Sequence, residues 1–126
     1  MAVIRREDAA AFSQPGLTVT GFAAPSRGAH ETCLYRLVVE PGNAAPPHIL
    51  DREEIFFTLS GSALATLDTE QHTIGAGDAL IVPPAVAFHL SVLGQEPFKA
   101  IAVMPVGGRA RLIDGDGVPF SPPWTI

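Results

Sequence analysis

No stretch of this chain carries a sustained helical period, and that absence is the strongest constraint on its fold. Apolar residues come in short runs, each closed by a turn signal, which is the pattern of β-strands joined by tight reversals. The runs are Leu17–Phe22, Thr32–Glu40, Ala45–Leu50, Glu54–Ser60, Ala63–Asp68, His72–Ile74, Ala79–Val82, Phe88–Leu93 and Phe98–Val106. Between them stand Pro41-Gly42, Ser60-Gly61, Gly75-Ala76-Gly77, Pro83-Pro84 and Gly94 with Pro97, residue types that set or permit turn dihedrals. The 12 glycines and 12 prolines among 126 residues serve this punctuation. Short, regularly spaced strands of this kind predict an all-β sandwich or barrel.

The totals narrow the classes of function. At 126 residues and 47% apolar content the chain reads as one domain that can bury a core without disulfides or a structural metal. A net charge of −5 argues against nucleic acid or an anionic membrane as partner. The lone Cys33, set among Leu34, Tyr35, Leu37 and Val38, supports no disulfide framework and reads as a core residue in a reducing compartment. Arg5 and Arg6 are followed at once by Glu7 and Asp8, with no signal-peptide h-region and no spanning apolar stretch. The expected location is cytoplasmic.

Two glycine-anchored segments carry the chemistry. The first holds Gly42, His48, Leu50, Glu54 and Gly61; the second holds Gly77, Pro83, Ala85, Phe88 and His89. In order and spacing they resemble the paired motifs of the cupin family, G-x5-H-x-H-x3-E-x6-G and G-x5-P-x-G-x2-H-x3-N, with Leu50 and Phe88 standing where two histidines belong. The resemblance covers roughly Gly42 to Gly94 directly, and the flanking strands extend it. It implies a single-domain cupin jelly-roll β-barrel, with residues 1–15 an N-terminal arm, 16–106 the barrel and 107–126 an extension ending in a Pro-rich tail.

Strand side chains alternate faces, so residues 48, 50, 54 and 56 share one face where the chain stays extended. His48 and Glu54 then converge inside the barrel, as two ligands of a divalent-metal site or as a hydrogen-bonded imidazole and carboxylate. The third histidine position is Phe88, and Val92 and Gly94 beyond it leave no room for an insertion that would bring His89 into register. Alanine at 85 resists the positive φ of the turn glycine it replaces, so a remodelled turn or bulge is the one route that re-aims His89 inward.

These readings commit His48 and Glu54 as catalytic residues, and His48, Glu54 and His89 as the ligands of any metal, with iron, manganese, nickel or zinc expected to be held weakly or not at all. Leu50, Phe56 and Phe88 are expected to wall the substrate cavity, and Arg36 is a candidate anchor for a carboxylate. His30, His72, Asp114 and Asp116 read as solvent-facing or turn residues. No organic cofactor is implied. The resemblance implies a small-molecule enzyme: an isomerase, cyclase or lyase moving a proton through His48 and Glu54, or a dioxygenase-like enzyme where metal is retained. The alternative is a non-catalytic binding barrel. The partners expected are a small-molecule ligand or substrate and a second copy of the chain in a homodimer. Trp124 is expected to pack against the barrel or that copy.

Overall fold

The structure, a computed structural model, describes residues 1–126. Eleven strands run in the order β1 (Ala10–Gln14), β2 (Leu17–Ala23), β3 (Thr32–Val39), β4 (Ala44–Leu50), β5 (Glu54–Ser60), β6 (Ser62–Leu67), β7 (Glu70–Gly75), β8 (Ala79–Val82), β9 (Ala87–Leu93), β10 (Phe98–Pro105) and β11 (Ala110–Leu112). They form two antiparallel sheets, one ordered β1-β2-β3-β10-β5-β8 and the other β11-β4-β9-β6-β7. This is the all-β jelly roll anticipated from the sequence, built as two facing sheets that no hydrogen-bonded ladder closes into a continuous barrel.

Alternation sets which side chains meet between the sheets. In β3 the residues Cys33, Tyr35, Leu37 and Val39 are buried while Leu34, Arg36 and Val38 lie on the outer face. In β10 the inward set is Phe98, Ala100, Ala102 and Met104. The two alanines are small enough to let side chains from β3 and β5, the strands on either side, approach each other across β10.

The nine runs read from the sequence all form strands, and two further strands lie outside them. The N-terminal segment is more than an arm. After a single 3-10 turn at Arg6–Asp8, Ala10–Gln14 pairs with β2 and extends the first sheet. In the C-terminal extension, Ala110–Leu112 pairs with Leu50, Ile49 and His48 of β4. Beyond it the tail returns, with Phe120 exchanging two 2.8 Å backbone hydrogen bonds with Ala110.

Two turn positions show how the motif spacing is enforced. A Cβ added at Gly61 would overlap the carbonyl oxygen of Pro97, so only glycine fits this crossing. Ala85 adopts the left-handed conformation, φ 66°, despite its Cβ, and its N–H donates to the Leu50 carbonyl at 2.8 Å. The turn therefore keeps the geometry of the glycine it replaces, at a cost of roughly 1–2 kcal/mol. Beyond this turn β9 pairs with β6 without a register shift. No helix is long and apolar enough to cross a membrane.

Candidate active site

A cavity of about 340 Å³ lies between the sheets under the C-terminal tail. Of its 20 lining residues 14 are hydrophobic, Tyr35 among them, and its polar groups are few: the Tyr35 hydroxyl, Gln14, His48 and Glu54. Leu50, Phe56 and Phe88 are walls of this cavity, buried at 4%, 3% and 2% exposure. The tail supplies the cover through Phe120, Pro122, Pro123 and Trp124. Trp124 sits with its ring centroid 6.1 Å from Tyr35 and 6.2 Å from Phe12.

His48 is held by a local device. Pro46 and Pro47 have no N–H to give the ladder, and the register between β4 and β9 shifts between Ala45 and His48. The Pro46 carbonyl, left beside the strand, lies 2.8 Å from His48 Nδ1. A carbonyl only accepts, so Nδ1 carries the proton and Nε2 is the lone-pair nitrogen of the neutral ring. Phe88, the ladder partner of His48, meets the imidazole edge-on at 5.5 Å and 80°. Burial pushes the His48 pKa below its ordinary value; the Pro46 carbonyl acts in the opposite direction, and the charge of His89 adds to the lowering.

Glu54 is buried at 5% exposure and accepts a hydrogen bond at Oε2 from the Tyr35 hydroxyl. Its other oxygen, Oε1, is buried without a partner. Loss of water raises the Glu54 pKa to about 7, and the Tyr35 hydrogen bond opposes the rise. Burial lifts the Tyr35 hydroxyl well above its ordinary range, the Glu54 charge adds to this, and the Trp124 side chain acts the other way. His48 and Glu54 thus share a cavity without sharing a hydrogen bond. Each is oriented by its own partner, Pro46 for one and Tyr35 for the other.

Two expected site residues lie elsewhere. His89 pairs with Thr66 in β6 and does not line the cavity, because the unshifted β9 turns Phe88 and Leu90 inward and residue 89 to the other side. It cannot complete a metal site with His48 and Glu54. Arg36 is an outer-face residue of β3, between Thr20 and Ile101 in the ladder, and so is no anchor for a ligand in this cavity.

The donor set does not fit a resident divalent ion. No three His, Cys, Asp or Glu side chains converge in this structure. Hydrocarbon fills both substituted motif positions, and one Glu54 oxygen is already engaged by Tyr35. Sequence reasoning missed Tyr35 and Gln14. The available signal for Tyr35 was its place in the alternating buried series Cys33, Tyr35, Leu37, Val39, where the chain's one tyrosine needs a polar partner for its hydroxyl.

The chain belongs to the cupin family: the family's domain profile, described as "Cupin domain", matches residues 35–104, more than half of the sequence. A curated relative, an uncharacterised protein of Methanocaldococcus jannaschii, is 35% identical over 49 residues, and the match spans 39% of each chain. Among solved structures, the polyketide cyclase RemF from Streptomyces resistomycificus superposes with a TM-score of 0.78 at 21% identity, covering 93% of this chain and 89% of that one. An RmlC-like cupin from Shewanella frigidimarina gives 0.69 at 17% identity, covering 80% and 86%. A salicylate 1,2-dioxygenase mutant from Pseudoaminobacter salicylatoxidans gives 0.72 at 15%, covering 84% of this chain and 34% of that one. At such identities the likeness is one of fold.

Proposed function

We propose that this cupin is a small-molecule enzyme that moves a proton within its cavity, in an isomerisation, cyclisation or elimination, with Glu54 as proton donor and His48 as proton acceptor. The observation that carries the reading is Glu54: a buried residue in the lining of an apolar cavity, fixed at Oε2 by Tyr35 and left with Oε1 unpartnered. Burial disfavours the charged form of both residues, so in the interval from the lowered His48 pKa up to about 7 a carboxylic acid and a neutral imidazole coexist in one cavity. In the proposed step the Nε2 lone pair of His48 takes a proton from a C–H bond. The bonding pair shifts into a new C=C, and the substrate carbonyl oxygen receives the proton of Glu54. Delivery of the His48 proton to a different carbon of a conjugated enol, with the enol O–H proton returning to Glu54, re-forms the carbonyl, restores both residues and completes an isomerisation. Tyr35 positions Glu54 through its hydrogen bond to Oε2. A polyketide cyclase shares this fold, which supports keeping cyclisation among the proposed reactions.

The test is C–H exchange of enolisable carbonyl compounds in heavy water, followed by NMR. Turnover should describe a bell in pH, rising as His48 loses its proton below its ordinary range and falling through about 7 as Glu54 loses the proton it donates. His48→Ala and Glu54→Gln should each lower the rate by about a hundredfold or more while the fold persists. Undiminished exchange in His48→Ala would reject the assignment. A second reading, a binding protein without turnover, is favoured by the apolar lining; it predicts ligand binding with no exchange at any pH. The dioxygenase-like alternative finds no group of three ligating side chains in this structure.

A further inference from the structure

We infer that the cavity selects an uncharged, ring-shaped carbonyl compound and excludes carboxylates, phosphates and sugars; this deepens the proton-transfer reading and rests on the same site. The first observation is the absence of any lysine or arginine among the lining residues, with the one arginine of β3 on the outer face. An anionic ligand would enter a low-dielectric space containing Glu54 and no compensating cation, where an unpaired charge is strongly disfavoured.

The second observation concerns hydroxyl-rich ligands. A sugar buries many donors and acceptors, and each needs a partner. The cavity offers Gln14, His48 and the Tyr35–Glu54 pair in an otherwise apolar lining. Most sugar hydroxyls would be left unsatisfied. A compound with one polar atom matches the supply, since among the lining groups Glu54 carries an oxygen with no partner in the protein.

The third observation is the shape of the walls. Phe56 and Phe88 lie 5.3 Å apart, inclined at 38°, and Phe88 also meets the His48 ring. Trp124 and Phe120 close the cavity from the tail. A ring system presents flat apolar faces to these rings, and at about 340 Å³ the cavity falls at the small end of ligand sites.

The experiment uses the full chain and a matched pair of probes, 2-tetralone and 1,2,3,4-tetrahydro-2-naphthoate, which share a bicyclic skeleton and differ by ketone against carboxylate. Because the chain has one tryptophan and it lines the cavity, the single indole N–H resonance of Trp124 reports binding at this site. Saturable shifts of that resonance with 2-tetralone, at a Kd at least tenfold lower than for the carboxylate, are expected. Glucose should leave the resonance unmoved at any concentration tested. Equal or tighter binding of the carboxylate, or no binding of the ketone, overturns the inference. Exchange of the ketone's α-protons, followed in the same samples, reports the proton-transfer reading separately. Selective ketone binding without exchange would uphold the ligand class and reject the catalysis, whereas exchange without selectivity would do the reverse.

Discussion

Replacing Glu54 with glutamine should change how stability depends on pH, and the size of the change follows from the structure. The buried carboxyl has its pKa raised from an ordinary 4.5 to about 7. Between these values the folded protein holds a proton that the unfolded chain has released, so stability falls as pH rises. The favourable contribution of the neutral acid is complete below 4.5 and gone once pH has passed about 7. At about 1.4 kcal/mol per pH unit, that interval corresponds to about 3 kcal/mol. Glutamine keeps a carbonyl to accept the Tyr35 hydroxyl and has no charge to bury, so this fall vanishes in the variant. Tyr35 and His48, the other titratable groups lining the cavity, are present in both proteins and cancel to first order in the comparison. Urea denaturation at a series of pH values from acid to mildly alkaline gives the two curves. Relative to wild type, Glu54→Gln should gain about 3 kcal/mol between the two ends, or roughly 10 °C in Tm for a chain of this size. Parallel curves would mean that Glu54 titrates as it does in the unfolded chain, and would remove the basis of its assignment as a proton donor.

Truncation after Gly117 removes Phe120, Trp124 and the buried Thr125, and should lower stability by about 2–3 kcal/mol or more, scaling from burial of one large aromatic ring; an unchanged melting temperature would refute the docking of the tail. Protein purified without chelator and then dialysed should hold well below one divalent ion per chain, because only two donors share the cavity; one ion per chain that survives dialysis would contradict this. The homodimer expected from the sequence is predicted to cover Phe57, Leu59 and Ile81, which are 49%, 46% and 58% exposed on the outer face of the six-stranded sheet. Phe57→Glu with Ile81→Glu should then halve the mass seen in sedimentation, and a wild-type monomer would refute the prediction.

Most of the fold was legible because strand alternation and turn chemistry are local properties. Each of the nine runs could be read from its own residues and, for most of them, from the glycine or proline that follows. The two strands that were not legible lack that signature. Ala10-Ala11-Phe12-Ser13-Gln14 has no β-branched residue, and Ala110-Arg111-Leu112 is three residues long. Both are strands because a neighbouring edge, of β2 or β4, was there to pair with. At the site, the spacing of His48 and Glu54 placed both in the cavity, and the count from Pro83 put Phe88 rather than His89 inward. What spacing could not give was the partner of each group. The Tyr35–Glu54 bond crosses β10 and depends on the small side chains there, and the Pro46 contact depends on a bulge that the prolines create. Trp124 reaches the site from the end of the chain.

The two departures from the cupin motif have a joint consequence that neither has alone. Leu50 and Phe88 each remove an imidazole that could hold a metal, and each puts hydrocarbon in its place, at 4% and 2% exposure. A bound cation would stabilise the carboxylate of Glu54 and engage the lone pair of His48. Hydrocarbon does the opposite: burial is the leading cause both of the raised Glu54 pKa and of the lowered His48 pKa. The substitutions that dismantle the ligand set therefore also favour a neutral acid and a neutral base in the lining of one cavity. Restoring polarity should reverse this. In Leu50→Gln the amide would hydrate the cavity wall beside His48 and Glu54, and the Glu54 pKa should fall toward the ordinary carboxylate range. A carboxyl resonance titrated by carbon-13 NMR measures that directly. If Glu54 still titrates near 7 in Leu50→Gln, the apolar wall at position 50 is not what holds its proton.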